Sequence, residues 1–188
     1  FMATDIDTVV TKSFEETVKV FIQLGAQIKE VRFTEMDRLM KARDIIGRAD
    51  LFSVHHERFA NHPEGYGEDT RERIEAGRKI RLDEYIWAHR EKELIRRSIL
   101  DLFRSVDAFL LPTYPCVTGP IETEVTKVNG QKKSLRFIGG PLTSSHNFTG
   151  VPAIAVPSGF SPDGLPVSLQ ILGSPWSEGL LLRIAHAF

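Results

Sequence analysis

The serine pair Ser144-Ser145 and the lysine pair Lys132-Lys133 are the residues whose types could supply a nucleophile and its base. A neutral Lys can accept the proton of a Ser hydroxyl, which activates that oxygen for attack on a carbonyl carbon. The Lys must first be desolvated, because desolvation lowers its pKa. Both lysines follow Asn129-Gly130 in a charged stretch, where solvent keeps an amine protonated. We therefore expect a solvated loop beside a hydroxyl-rich turn and assign no catalytic residue to this chain.

A group of histidines could bind a metal ion. The residues are His55-His56-Glu57, followed by His62. Metal ligands on a helix stand four residues apart, as in H-E-x-x-H, whereas adjacent side chains point about 100° apart. His89 and Glu93 do have the four-residue spacing, but they lie away from the apolar stripe of their helix, which favours a surface pair. The sequence therefore predicts no metal site.

Cysteine content and charge exclude several classes of protein. The single Cys116 allows no internal disulfide and no cysteine-rich zinc site. The 24 Lys and Arg nearly balance the 25 Asp and Glu, so the chain has no general attraction to nucleic acid. No apolar run approaches the roughly 18 residues of a membrane span, and no secretion signal opens the chain. We expect a cytoplasmic protein that binds neither nucleic acid nor membrane.

Charge also divides the chain into two parts. Residues 134–188 contain four charged side chains, and nine of the ten prolines lie from Pro112 onward. A stretch with so few charges is usually buried on both faces. We therefore expect residues 1–111 to be mostly helical and charged, and residues 112–188 to be apolar and rich in strands and turns.

Apolar spacing and turn signals predict the individual elements. They are, in order, a helix opened by the capping box of Ser13 and Glu16 and ended by Gly25, a strand over 26–33, helices over 35–60, about 68–80 and from Asp83 to about 104, a strand over 107–111, a hairpin around Asn129-Gly130, strands over 153–157 and 165–172, and a final helix. Helices that alternate with buried strands indicate the α/β class.

The strand region contains two specific motifs. They are Asn147-Phe148-Thr149-Gly150-Val151-Pro152, which continues to Pro157-Ser158-Gly159, and Leu165-Pro166-Val167-Ser168-Leu169-Gln170. Together they resemble the C-terminal region of the amidase signature family. Weaker pieces resemble that family in the same order along the chain: Leu24-Gly25-Ala26, Tyr66-Gly67, Arg73-Ile74 with Gly77, Tyr85 with Ala88, and Val106-Asp107-Ala108 before Leu111-Pro112-Thr113.

The resemblance implies hydrolysis or transfer of amide groups by a Ser nucleophile, a second Ser and a Lys. In the family these residues lie in a Gly/Ser-rich segment of the N-terminal half. The pairs Ser144-Ser145 and Gly139-Gly140 match the family's C-terminal region instead. The chain also stops within a helical pattern that has no C-cap. We therefore expect residues 1–188 to be a C-terminal fragment of an amidase domain, with a mixed β-sheet covered by helices, and no metal or organic cofactor.

The resemblance also suggests one substrate contact. Arg73 stands where an Arg of the amidotransferase members anchors a substrate carboxylate; the alternative is a surface ion pair with Asp69. Gly140 stands where the same branch has an Asp that binds the substrate amino group, which argues against glutamine as substrate. The sequence also departs from the family's usual residues at two other positions. Lys92 stands where an Arg is usual, and Ser168 stands where many members have Gly.

These observations lead to one preferred function and two alternatives. The preferred function is that of the C-terminal part of a hydrolase that cleaves carboxylic or aryl amides through a Ser acyl-enzyme. The alternatives are a non-catalytic scaffold or interaction module, and the A subunit of a tRNA-dependent amidotransferase. The expected partners are a small-molecule amide in the intact parent enzyme, the missing N-terminal half, and further copies of the chain, because apolar strands without cover associate.

Overall fold

The computed structural model describes residues 5–121 and 123–188, except for the side chains of Arg136 and Phe137. The helices are α1 Thr8–Gln23, α2 Met36–Asn61, α3 Glu68–Arg78, α4 Leu82–Leu102, α5 Leu135–Ile138, α6 Gly140–Thr149 and α7 Glu178–Ala187. The strands are β1 Ala108–Pro112, β2 Val125–Val128, β3 Gln131–Ser134, β4 Ala153–Phe160 and β5 Pro166–Gly173. This composition confirms the predicted α/β class. The chain forms two compact units, residues 35–97 and the remainder.

The larger unit is built on a three-stranded antiparallel sheet with the order β1-β5-β4. The central strand β5 is almost fully buried, as its apolar sequence predicts. Its Ile171 pairs with Leu110 of β1 and with Ile154 of β4. The ladder between β4 and β5 is irregular between Pro157 and Gly159, where Pro157 has no amide hydrogen and Gly159 has a φ of 136°.

Helices α1 and α7 contact this sheet. Phe21 of α1 and Leu181 of α7 form a buried cluster with Leu169 and Ile171 of β5. The predicted capping box at Ser13 is wrong, because Asp7 caps α1 by accepting a hydrogen bond from the Val9 amide at 2.9 Å. Ser13 lies inside the helix, and its hydroxyl lies 2.9 Å from that of Ser158 on β4.

A charged hairpin and helix α6 lie between β1 and β4 along the chain. Asn129 and Gly130, with φ values of 49° and 81°, make the hairpin turn between β2 and β3, as the Asn-Gly pair predicts. The serine pair was expected in a turn but lies on the buried side of α6. Helix α6 was missed because Gly139-Gly140-Pro141 is typical of a turn, yet a proline is also accepted in the first turn of a helix.

The smaller unit consists of α2, a 3₁₀ turn at Pro63–Gly65, α3 and the part of α4 up to Arg97. Helices α2 and α3 pack closely at Gly77, where a Cβ atom would lie 2.1 Å from the carbonyl oxygen of Arg48. Apolar spacing along α4 predicts an inward stripe that includes Ala88 and Ile95, and both residues are buried. Glu91, also buried, accepts a hydrogen bond from Arg38 Nε at 2.8 Å.

The predicted strand over residues 26–33 does not form. Its residues have no regular secondary structure, and all but Val31 and Phe33 are exposed. An extended segment becomes a strand only when a neighbour accepts and donates its backbone hydrogen bonds. In the part of the chain that the structure describes, the sheet gives residues 26–33 no partner strand.

Candidate functional site

The Asn147–Gly150 motif ends helix α6 and leads the chain towards strand β4. Gly150 has a φ of 71°, and its amide donates to the carbonyl oxygen of His146 at 2.8 Å. Glycine adopts this left-handed conformation without the steric cost of a side chain. The motif therefore fixes the direction in which β4 leaves α6.

Gln170, the last residue of the Leu165–Gln170 motif, links strand β1 to helix α6 through hydrogen bonds. The side chain is 3% exposed, and its Nε2 donates to the carbonyl oxygens of Leu142 at 2.8 Å and Pro112 at 3.2 Å. Both contacts satisfy the donor nitrogen of the buried amide. Gln170 stands within the second sequence motif, but its spacing predicts no role for it. The available signal was an amide inside an apolar strand, since buried amides need hydrogen-bond partners.

Tyr114 makes a second connection in the same place. Its hydroxyl donates to the carbonyl oxygen of Leu135 at 2.7 Å. Its ring covers Gly139, where a Cβ atom would lie 2.2 Å from the ring. Glycine at this position thus lets the segment after β1 lie directly against the start of α6.

Four buried polar atoms lie on these connected segments without a hydrogen-bond partner among the described residues. They are Thr113 Oγ1, Ser144 Oγ, Ser145 Oγ and His146 Nδ1. Burial lowers the pKa of His146 below its ordinary value, so the imidazole is neutral near pH 7. A neutral imidazole and three hydroxyls can donate or accept hydrogen bonds but carry no charge.

Among the described residues, none of these hydroxyls forms a hydrogen bond with a base, and His146 Nδ1 accepts none from them. The Nζ of Lys133 forms an ion pair with Asp5 at 2.8 Å, and no lysine donates to Ser144 or Ser145 in the described ranges. A hydroxyl is a weak nucleophile unless a base takes its proton. Burial raises the pKa of Cys116, which makes its thiol a poor nucleophile as well.

Arg73, the predicted substrate contact, lies in the smaller unit on an exposed position of α3. Its guanidinium forms no hydrogen bond or ion pair with Asp69 or with another residue that the structure describes. The neighbouring Ile74 and Gly77 are buried against the rest of the unit. The helix is therefore held by its other face, and the Arg73 side chain is exposed.

The histidines that were considered as metal ligands have other neighbours in the described structure. His55 Nδ1 lies 3.1 Å from the hydroxyl of Tyr66, and His62 lies beside Glu64. Across residues 5–121 and 123–188, no three His, Cys, Asp or Glu side chains are close enough together to hold an ion. His89 packs edge-on against the ring of Tyr85. None of the described helices is long and apolar enough to cross a membrane.

Comparison with known proteins identifies the fold. A solved amidase structure superposes with a TM-score of 0.90 at 27% identity, and the match covers 97% of this chain and 42% of that one. An amidase from Pseudomonas putida is 27% identical over 184 residues, which are 97% of this chain and 39% of that protein. The A subunit of glutamyl-tRNA(Gln) amidotransferase from Listeria innocua is 36% identical over 132 residues, 66% of this chain and 26% of that relative.

The chain thus spans at most about two fifths of the length of these relatives. The Amidase family model matches residues 1–182, nearly the whole chain. The motifs at Asn147 and Leu165, which first suggested the resemblance, lie inside that match. The chain belongs to the amidase (amidase signature) family.

Proposed function

We propose that this chain is the C-terminal part of an amidase that hydrolyses carboxylic or aryl amides through a Ser acyl-enzyme, with the nucleophile outside residues 1–188. The superposition on 42% of a solved amidase carries the proposal. The absence of a Ser–Lys pair among the described residues supports the placement of the nucleophile elsewhere. In this arrangement, the chain contributes sheet strands and the helical wall of the acyl pocket.

The test compares two polypeptides. The 188-residue chain alone should neither react with a fluorophosphonate probe nor turn over a chromogenic anilide, because residual catalysis without the nucleophile is weak. A polypeptide extended by the upstream reading frame should do both if that frame encodes a Lys followed by a Gly/Ser-rich stretch. An upstream frame without these residues would favour the scaffold alternative. Probe labelling at Ser144 or Ser145, lost on alanine substitution, would contradict the proposal.

The amidotransferase alternative rests on the 36% identity to the A subunit of that enzyme. Gly140 opposes it, because a glycine offers no carboxylate to the ammonium group of glutamine. Glutaminase activity of the extended polypeptide decides between the two. Hydrolysis of anilides without glutaminase activity supports the amidase. If the polypeptide has glutaminase activity and Gly140→Asp does not raise it, Gly140 is no argument against glutamine as the substrate.

Arg73 is the proposed anchor for a substrate carboxylate. Its exposure and its lack of a described partner support this assignment. In the extended enzyme, Arg73→Ala should leave stability within about 1 kcal/mol, as for an exposed helix residue. Loss of a charge-assisted contact should cost about 2–5 kcal/mol in binding of acidic substrates. Arg71→Ala, on the same helix and also exposed, is the matched control. Unchanged kinetics on all acidic substrates would make Arg73 structural.

The proposed partners are the N-terminal part of the amidase fold, a small-molecule amide, and a second copy of the chain. The net charge of -1 gives no support to nucleic acid as a partner. The cytoplasm is the proposed compartment, because a single cysteine leaves no internal disulfide that needs an oxidising environment.

A further inference from the structure

The turn between strand β5 and helix α7 contains a backbone conformation that its sequence does not favour. The Ser177 amide donates to the carbonyl oxygen of Ser174 at 3.2 Å, which closes a four-residue turn with Pro175 in its second position. Trp176 occupies the third position with a φ of 66°. Glycine is the usual residue at such a position, because a bulky side chain makes the left-handed conformation costly. Strain of this kind persists where other contacts compensate for it.

The described chain gives Trp176 little compensation. Its side chain is 93% accessible, so the indole ring buries almost no apolar surface against the residues that the structure describes. Asn129, which also has a positive φ, belongs to a residue type that tolerates this conformation, and its Nδ2 donates to the carbonyl oxygen of Ile6 at 3.0 Å. Trp176 has neither advantage, and its strained conformation therefore points to a contact outside residues 1–188.

Helix α7 has two further unfavourable positions on its outward face. At Gly179, apart from the helix backbone and the chain neighbours, a Cβ atom would meet only the end of the Arg183 side chain, at 4.0 Å, among the described atoms. Alanine would fit this space and would restrict the unfolded chain more than glycine does. Leu182, three residues further on the same face, is 61% accessible, whereas Leu181 is buried against β5. Glycine is useful where another backbone approaches closely, so Gly179 indicates a close neighbour beyond the described residues.

The part of the amidase fold that lies outside this chain can supply that neighbour. The superposition on a solved amidase covers 97% of this chain but only 42% of the other one, so more than half of that fold lies beyond residues 1–188. Trp176, Gly179 and Leu182 follow one another at intervals of three residues at the start of α7. An indole ring, a position without a side chain and a leucine together fit a closely packed apolar segment.

We propose that Trp176, Gly179 and Leu182 form the surface on which an apolar segment of the N-terminal part of the amidase packs. The indole ring lies against that segment, and the burial of the ring compensates for the strained backbone at Trp176. Gly179 allows the backbone of the segment to approach α7. The inference rests on the proposed function, because it requires the N-terminal part to belong to the same fold, and it names the residues that contact this part.

Urea denaturation of the polypeptide extended by the upstream reading frame tests the contact by the sign of the change. Trp176→Asn relieves the strain, so it should raise the midpoint if the ring is exposed and lower it if the ring is buried; we expect a decrease of roughly 0.3–0.5 M. Trp176→Phe keeps an aromatic ring and should retain most of the parent's midpoint. Gly179→Ala should also lower the midpoint, whereas Gly47→Ala, at a helix glycine with open space around it, should raise it. A midpoint that is unchanged or higher for Trp176→Asn or Gly179→Ala overturns the assignment.

Photo-cross-linking in the same extended polypeptide identifies the partner. When p-benzoylphenylalanine replaces Trp176, irradiation should join position 176 to a peptide of the N-terminal part of the same molecule, which mass spectrometry locates. The same amino acid in place of Asp163, exposed in the turn between β4 and β5, gives the background. A cross-link between two molecules, or none above that background, overturns the inference. Neither experiment measures amide hydrolysis. An active polypeptide without the cross-link contradicts this inference alone, and an inactive one with the cross-link contradicts the proposed function alone.

Discussion

Replacing Gly77 with alanine should separate two helices of the smaller unit. The new Cβ atom would lie 2.1 Å from the carbonyl oxygen of Arg48 and 2.8 Å from the Cβ atom of Phe52. Favourable contacts between such atoms occur at about 3.5 Å, so α2 and α3 must move apart by roughly 1 Å or more. The nearest obstacle is backbone, which cannot rotate away as a long side chain could.

The expected magnitude follows from two opposing effects. Alanine is favoured over glycine inside a helix by about 1 kcal/mol. Overpacking a close contact costs about 1–3 kcal/mol and more where backbone must shift. Ile74, fully buried one turn earlier on α3, loses packing as well when the helices separate. With the helix propensity gain subtracted and the loss at Ile74 included, we expect Gly77→Ala to lower the free energy of unfolding by about 1–2 kcal/mol.

Urea denaturation followed by far-UV circular dichroism measures this difference. Gly47→Ala is the matched control, because Gly47 lies inside α2 and has no atom within 4 Å of the position that a Cβ atom would take. That substitution should raise the free energy of unfolding by about 0.5–1 kcal/mol. Two outcomes would contradict the reasoning that close packing at Gly77 excludes a Cβ atom. One is a Gly77→Ala variant as stable as the parent chain, and the other is equal destabilisation by Gly77→Ala and Gly47→Ala.

Two further predictions concern the larger unit. Gln170→Leu should lower the free energy of unfolding by about 1–3 kcal/mol, because it removes the hydrogen bonds to the carbonyl oxygens of Pro112 and Leu142. Urea denaturation measures this loss, and Gln131→Leu on the exposed hairpin is the control. Burial lowers the pKa of His146 from 6.5, so its contribution to stability is complete above pH 6.5 and is lost as the pH falls through the folded pKa. His146→Leu should therefore show a smaller loss of stability between neutral and acidic pH than the parent chain, and an identical pH dependence would refute the assignment.

Local signals in the sequence predicted the elements that local chemistry determines. The Asn129-Gly130 turn follows from the positive φ angles that these residues tolerate, and the inward stripe of α4 follows from apolar spacing. The start of α1 was misplaced because Asp7 and Ser13 are both good cap residues, and only the fold shows which one begins the helix. The strand over 26–33 failed because strand formation requires a partner.

The candidate site was predictable in its motifs but not in its contacts. The Asn147–Gly150 motif located the turn between α6 and β4 correctly. The role of Gln170 depends on carbonyl oxygens that lie 58 and 28 residues away along the chain. Residue spacing does not show such contacts, because they arise only when β1, β5 and α6 come together.

The bonds of Gln170 also affect how the intervening chain can change in length. By bonding to Pro112 and Leu142, this side chain holds together both ends of the segment that contains the exposed hairpin. The entropic cost of closing a flexible loop rises only by about 0.6 kcal/mol when its length doubles. Residues could therefore be inserted at Asn129-Gly130 with little effect on the sheet. The same site is suited to a reporter peptide or a small inserted domain that must not disturb β4 or β5.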